Sequence, residues 1–128
     1  MNNLIIGASG KIGFYYHKRT KLKNNIFISR KENKKKRFLK FDFENENFID
    51  FVKKKKISKV IIFTAISDPL KCKINKKESH KINIILIKKI INILIEKNIY
   101  FIFFSTEYIF PGRDKVLYKE NSKTNSRM

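Results

Sequence analysis

The stretch Leu4-Ile5-Ile6-Gly7-Ala8-Ser9-Gly10-Lys11-Ile12-Gly13 decides the fold. Leu4–Ile6 is a short apolar run of the kind that forms a buried parallel strand. Lys11 onward, through Ile12, Tyr15 and Tyr16, has the spacing of an amphipathic helix. Gly7, Gly10 and Gly13 occupy the turn between them. Gly7 permits the tight turn, Gly10 lets backbone N–H groups approach a pyrophosphate, and Gly13 lets the helix sit close on the strand. The helix N-terminus adds partial positive charge, so Ser9, Lys11 and Ile12 join the glycines as candidate phosphate-binding positions. A strand, a glycine turn and a helix in this order point to dinucleotide binding.

Outward from this unit the chain alternates strands and helices. Strands are expected at Asn3–Ile6, Asn25–Ser29, Arg37–Phe43, Lys59–Ala65 and Ile99–Phe104, and helices at Lys11–Lys21, Asn45–Lys56 and Glu78–Lys97. A polar loop, Arg30–Lys36, stands where a helix would join the second and third strands. The alternation predicts an α/β domain with a mostly parallel sheet of about five strands and helices on both faces. Glu44 and Glu46 at the start of the second helix and Lys53–Lys56 at its end suit the helix dipole, so the lysine run reads as a solvated last turn. The third helix has isoleucines on more than one face, which predicts cover on both sides. The sheet supplies one side. The outer side, through Ile84, Ile87 and Ile91, needs a partner, such as a second copy in a homodimer built on residues 78–97.

A length of 128 residues bounds the chain to one domain, and 42% hydrophobic residues suffice for a core. No apolar run is long enough to span a bilayer: the best, Ile82–Ile95, is interrupted by Asn83, Lys88, Lys89 and Asn92. No secretory signal pattern is present, and Cys72 is the only cysteine, so a cytoplasmic setting is expected, without internal disulfide or metal cluster. The net charge of +19 invites a nucleic-acid reading. The lysines, however, are spread along the whole chain and accompany abundant Asn, Ile and Phe, which marks a general compositional bias. Specific nucleic-acid binding is not expected, whereas salt-sensitive adsorption to polyanions is.

Strand two ends at Ser29-Arg30-Lys31, with no acid until Glu32 in the loop. An acid near this point would take the ribose hydroxyls, and a basic residue a 2′-phosphate, so Arg30 favours NADP over NAD. Thr64-Ala65-Ile66 closes strand four at the carboxyl edge of the sheet, where small side chains leave room for a ribose.

The glycine spacing Gly-x-x-Gly-x-x-Gly resembles that of the extended short-chain dehydrogenase/reductase family of nucleotide-sugar epimerases, dehydratases and reductases. Ser105-Thr106-Glu107-Tyr108-Ile109-Phe110-Pro111-Gly112 resembles the Ser-Thr-Asp-Tyr-Val-Phe-x-Gly segment of the dTDP-4-dehydrorhamnose reductases within it. Ala65–Pro69, Lys71-Cys72 and Lys81-Ile82-Asn83 fall in the order and spacing of that group's middle region, so the likeness covers essentially the whole chain. It implies a Rossmann-like fold and NADPH-dependent reduction of the 4-keto group of a deoxysugar nucleotide, on the route to polysaccharide. It also implies that Asp42, with Phe43 beside it, meets the adenine, and that Asn83 stands behind the active site. Thr106 would bond the substrate carbonyl oxygen, with Ser105 as the alternative hydroxyl. Glu107 replaces the group's Asp.

The resemblance further implies a proton donor, the tyrosine of a Tyr-x-x-x-Lys pair on the helix after strand five. None of Tyr15, Tyr16, Tyr100, Tyr108 and Tyr118 has a lysine four residues later. The expectation is a C-terminally truncated portion of a longer reductase, inactive by itself. Two other readings stay open. One is a non-catalytic dinucleotide-binding regulatory subunit. The other is part of an epimerase or dehydratase, whose corresponding segment reads Val-Tyr-Gly rather than Phe110-Pro111-Gly112. His17 and His80 lack acid–base partners at suggestive spacing and are expected to be structural or superficial.

Overall fold

The computed structural model describes residues 1–30, 32–66, 68–106, 109–112 and 116–124. Five parallel strands, β1 (Asn2–Ile6), β2 (Asn25–Ser29), β3 (Phe38–Lys40), β4 (Ile57–Ile62) and β5 (Tyr100–Phe103), form one sheet in the order β3-β2-β1-β4-β5. Crossing from β3 back to β1 and then outward to β5 is the doubly wound Rossmann-like order, with its reversal point between β1 and β4. Leu4 registers with Ile26 on one side and Val60 on the other, and Ile6 with Ile28 and Ile62. Strands flanked on both sides and covered on both faces read as unbroken apolar runs, which is why Leu4, Ile5 and Ile6 are all buried.

Helices cover both faces, as expected. On one, α1 (Lys11–Arg19) lays Phe14 and Tyr16 against Ile5, Ala8, Phe27 and Phe38. The His17 ring stands edge-on to Phe27 and Phe38, with centroids 4.7 and 4.9 Å away, a packing role. On the other, α2 (Phe48–Lys54) and α5 (Ile87–Glu96) bury Phe48, Val52, Ile87, Ile90 and Leu94 against Leu4, Ile6, Ile28, Val60 and Ile62. Burial of this kind contributes about 1.5–3 kcal/mol for each large aliphatic side chain.

Several boundaries differ from the sequence expectation, each for a local reason. Strand three is only Phe38–Lys40, because Arg37 before it is left-handed (φ 55°) and Asp42 after it opens a turn. Helix two begins at Phe48 rather than Asn45. Asn47 caps it, accepting from the N–H groups of Ile49 and Asp50, so Glu44 and Glu46 belong to the preceding turn. Strand four runs from Ile57 to Ile62 instead of Lys59 to Ala65, since buried Ile57 pairs with Asn2 and residues 63–66 leave the sheet. A helix that periodicity did not suggest, α3 (Pro69–Ile74), starts on an Asp68 cap with proline in its first turn.

The expected helix Glu78–Lys97 is a run from Lys76 to Glu96: α4 (Lys76–His80), a π-helical turn (Lys81–Leu86) and α5. Its outer face also needs correction. Ile87 is buried and Ile91 packs against the core, whereas Ile84, Ile85 and Ile95 are exposed. Among the described residues no helix is long and apolar enough to cross a membrane.

Candidate functional site

The carboxyl ends of the strands bring five short segments to one edge: Gly7–Gly10 after β1, Arg30 after β2, Phe41–Glu44 after β3, Phe63–Ile66 after β4, and Phe104–Thr106 after β5. In this architecture ligands lie in the crevice outside that edge, at the reversal point. Gly7 and Thr64 meet there, just past the ends of the two strands that flank it.

The three glycines serve different purposes. Gly7 is left-handed (φ 89°), and a Cβ on it would stand 2.7 Å from Thr64 Oγ1 and 2.8 Å from the Thr64 nitrogen. A Cβ on Gly13, inside α1, would stand 2.3 Å from the Gly7 carbonyl oxygen. These two glycines let strand, turn and helix pack. A Cβ on Gly10 would meet only the Gly7 oxygen, at 3.4 Å, so internal packing does not require a glycine here. Gly10 is the N-cap of α1, donates to Gly7 O at 3.1 Å and brings no side chain to the first-turn N–H groups of Lys11, Ile12 and Gly13. Open donors, a helix dipole and clear space in front of an exposed glycine fit an anionic diphosphate. Ser9 and Lys11 are exposed beside that space, and Ile12 is 62% exposed.

Arg30 reaches across the edge toward α4, where its guanidinium lies 3.4 Å from Glu78 Oε1, with both side chains largely in solvent. Lys81 and Glu44 form a second such bridge at 2.9 Å, tying the β3 loop to the π-turn. Exposed pairs of this kind contribute about 0–1 kcal/mol each and are easily exchanged for a ligand.

Asp42 organises its own turn. Its carboxylate accepts from the Glu44 N–H at 3.0 Å and the Asn45 side chain at 2.8 Å, while its own N–H donates to Glu46 Oε1 at 2.6 Å. The Asn45 bond, then the Glu44 bond, hold the Asp42 carboxyl below the ordinary aspartate range. Its hydrogen bonds are therefore made within this turn, with Glu44, Asn45 and Glu46. Phe43 beside it packs into the aromatic cluster of Phe41 and Phe48.

Asn83 lies in the π-turn and is half-buried. Its side chain accepts from the Ile66 N–H at 2.7 Å and donates to the Ile66 carbonyl at 3.0 Å. Cys72 Sγ donates to the same carbonyl at 3.0 Å. Asn83 thus clamps the backbone of Ile66, a contact more specific than the place behind the site that the resemblance implied. Thr106 is exposed two residues past Phe104, on the same edge as the glycine turn, and its carbonyl accepts from Ile109 at 3.4 Å. Ser105 is likewise exposed. Lys31, Ser67, Glu107 and Tyr108 lie outside the described residues.

Sequence reasoning missed one feature of this edge. A cavity of about 300 Å³ opens between the glycine turn, the end of β2 and the turn at Lys34–Lys36, with Lys36 in its wall. The lysine run concealed it, since nothing in the sequence distinguishes Lys36 from Lys34 or Lys35.

Solved structures share the fold. A hypothetical dTDP-4-dehydrorhamnose reductase from Sulfolobus tokodaii aligns over 98% of this chain and 46% of its own length, with 29% identity and a TM-score of 0.79. A dTDP-4-dehydrorhamnose reductase from Clostridium acetobutylicum aligns over 98% of this chain and 43% of its own, with 26% identity and a TM-score of 0.73. MoeE5, solved with UDP-glucose and NAD, reaches a TM-score of 0.82 at 19% identity, over 98% of this chain and 43% of its own. That last likeness speaks to the fold alone. The chain spans less than half the length of each of these structures. A search of curated protein sequences returned no match. The model of the RmlD substrate binding domain matches residues 1–127, nearly the whole chain, and the chain belongs to that family.

Proposed function

We propose that this chain is the dinucleotide-binding part of a nucleotide-sugar reductase of the dTDP-4-dehydrorhamnose reductase type, with NADPH preferred to NADH. The observation that carries it is the unequal clearance around the three glycines. Gly7 and Gly13 are demanded by packing, and Gly10 leaves open the space in front of the α1 N-terminus. The likeness to two dehydrorhamnose reductases and the family membership support the substrate class.

In this reading the N–H groups of Lys11, Ile12 and Gly13 hold the diphosphate, and Ser9 adds a hydroxyl. Asp42 and Phe43 border the adenine, and Thr64–Ile66, braced by Asn83, form the floor beneath the ribose. When bound, the nicotinamide supplies the hydride. Thr106 donates a hydrogen bond to the carbonyl oxygen of the sugar and holds charge there as it develops. General acid catalysis contributes about 10²–10⁴-fold, and none of the chain's tyrosines is placed four residues before a lysine. Residues 1–128 by themselves therefore bind the cofactor without turning over. The reading as part of an epimerase or dehydratase is weaker, since Phe110-Pro111-Gly112 stands where the corresponding segment of those enzymes reads Val-Tyr-Gly.

Calorimetric titration of the chain with NADPH tests the reading. Binding by the wild type and its loss in Gly10→Val, with an unchanged circular dichroism spectrum, is the expected result. Absence of wild-type binding, or equal binding by the variant, refutes it.

A further inference from the structure

We propose that the cavity beside the glycine turn is a phosphomonoester subsite, and that among the described residues Lys36, not Arg30, is the cation by which the chain distinguishes NADP from NAD. This rests on the dinucleotide reading above. The cavity measures about 300 Å³ and is lined by Ser9, Phe14, Ser29, Glu32, Asn33 and Lys36. It lies where the end of β2 faces the glycine turn, the place at which a basic side chain accepts a ribose 2′-phosphate. Ser9 brings a hydroxyl to it from the turn, and Ser29, the last residue of β2, lines its wall.

Lys36 is held there by more than sequence proximity. Asn33 and Phe38 exchange backbone hydrogen bonds at 3.1 and 3.0 Å, closing a tight loop around Lys34–Arg37. The Asn33 side chain accepts from the Lys36 N–H at 3.1 Å, and Arg37 turns the chain through a left-handed conformation. The Lys36 ammonium then rests over the Phe14 ring, 3.9 Å from its centroid, while Lys18 approaches the same ring at 4.7 Å. A cation over an aromatic face is partly fixed in direction yet keeps N–H donors for an anion. Lys34 and Lys35 are exposed and do not line the cavity, and Arg30 points away to Glu78. Glu32 is the acid among the lining residues, and its charge works against a bound phosphate.

The test compares binding of NADP⁺ and NAD⁺, which differ only in the 2′-phosphate, by calorimetry on the full chain. The wild type is expected to favour NADP⁺. Lys36→Gln should weaken NADP⁺ about tenfold, the effect of one lost charge-assisted hydrogen bond, and leave NAD⁺ unchanged. Lys36→Arg should retain the preference, and Glu32→Gln should increase it. A chain of +19 draws any extra phosphate, so Lys34→Gln removes the same charge two residues away and should leave the ratio alone. A ratio unchanged by Lys36→Gln, or collapsed equally by Lys34→Gln or Arg30→Gln, overturns the proposal. Equal wild-type binding of both nucleotides overturns the subsite but leaves the dinucleotide reading intact, whereas binding of neither removes both.

Discussion

The side chain of Asn83 holds both backbone polar groups of Ile66, accepting from its N–H at 2.7 Å and donating to its carbonyl at 3.0 Å. Residues 63–66 have left the sheet, and after the Phe63 N–H has bonded to Ile6 O the strand ladder has no more partners to give them. An amide side chain, with one acceptor and two donors, substitutes for a neighbouring strand. It sits in the π-helical turn, an irregularity that often marks functional positions.

Asn83→Ala should therefore cost about 1–3 kcal/mol, the penalty for leaving partly buried backbone groups without partners. Asn83→Asp, which keeps the acceptor and loses the donor, should fall between it and the wild type. Urea unfolding with an unchanged m-value is the measurement. In the proposed site the same segment is the crevice floor, so loss of nucleotide affinity should accompany the loss of stability.

The glycines separate packing from ligand space. Gly13→Ala places a methyl 2.3 Å from the Gly7 oxygen and should destabilise the fold by about 1–3 kcal/mol or more. Gly10→Ala should change stability by about 0.5 kcal/mol or less yet weaken nucleotide binding. Parallel thermal unfolding and titration would show whether the two effects divide between these positions.

Acid should release the Asp42 turn. Its carboxyl is held below the ordinary aspartate range chiefly by the Asn45 side chain, so the charged form is favoured in the folded state. A depressed folded value means that the contribution is present above the unfolded value and is lost as pH falls through the folded one. Asn45→Ala should raise the Asp42 midpoint in a carboxyl-carbon NMR titration. The same midpoint in both proteins would show that the Asn45 bond does not hold the charge.

The chain should self-associate through β5. That strand pairs with β4 and is the last in the sheet order, and residues 100–106 carry no charge in a chain with 30 lysines and arginines. Tyr100, Ile102, Phe103 and Phe104 are 63, 41, 39 and 52% exposed. An uncharged apolar edge is a template for pairing. The +19 charge opposes association, but its reach falls to about 8 Å at physiological ionic strength. Sedimentation should show association growing with salt and reduced by Phe103→Lys. A monomer at every salt concentration would mean that the edge does not pair.

The local pattern of the chain was enough to determine the glycine unit, the five strands and the two covered faces. Apolar runs bounded by Gly, Asn and Lys mark the strands, whose apolar side chains are buried in the middle of the sheet and largely exposed in β5, and every strand lies within two residues of its expected start. Rossmann-like order followed because parallel strands joined by helices have few ways to wind. The ends of elements were less legible. Asn47 and Asp68 caps, and the left-handed Arg37, Lys56 and Asn98, depend on hydrogen bonds and dihedral angles that composition does not express. Only tertiary structure decided which of many lysines faces the cavity, which isoleucines of the long helix face the core, and that Asn83 reaches Ile66. Each is a matter of where a side chain points once two distant segments meet. Periodicity describes a single element and holds no information about its partner across the sheet.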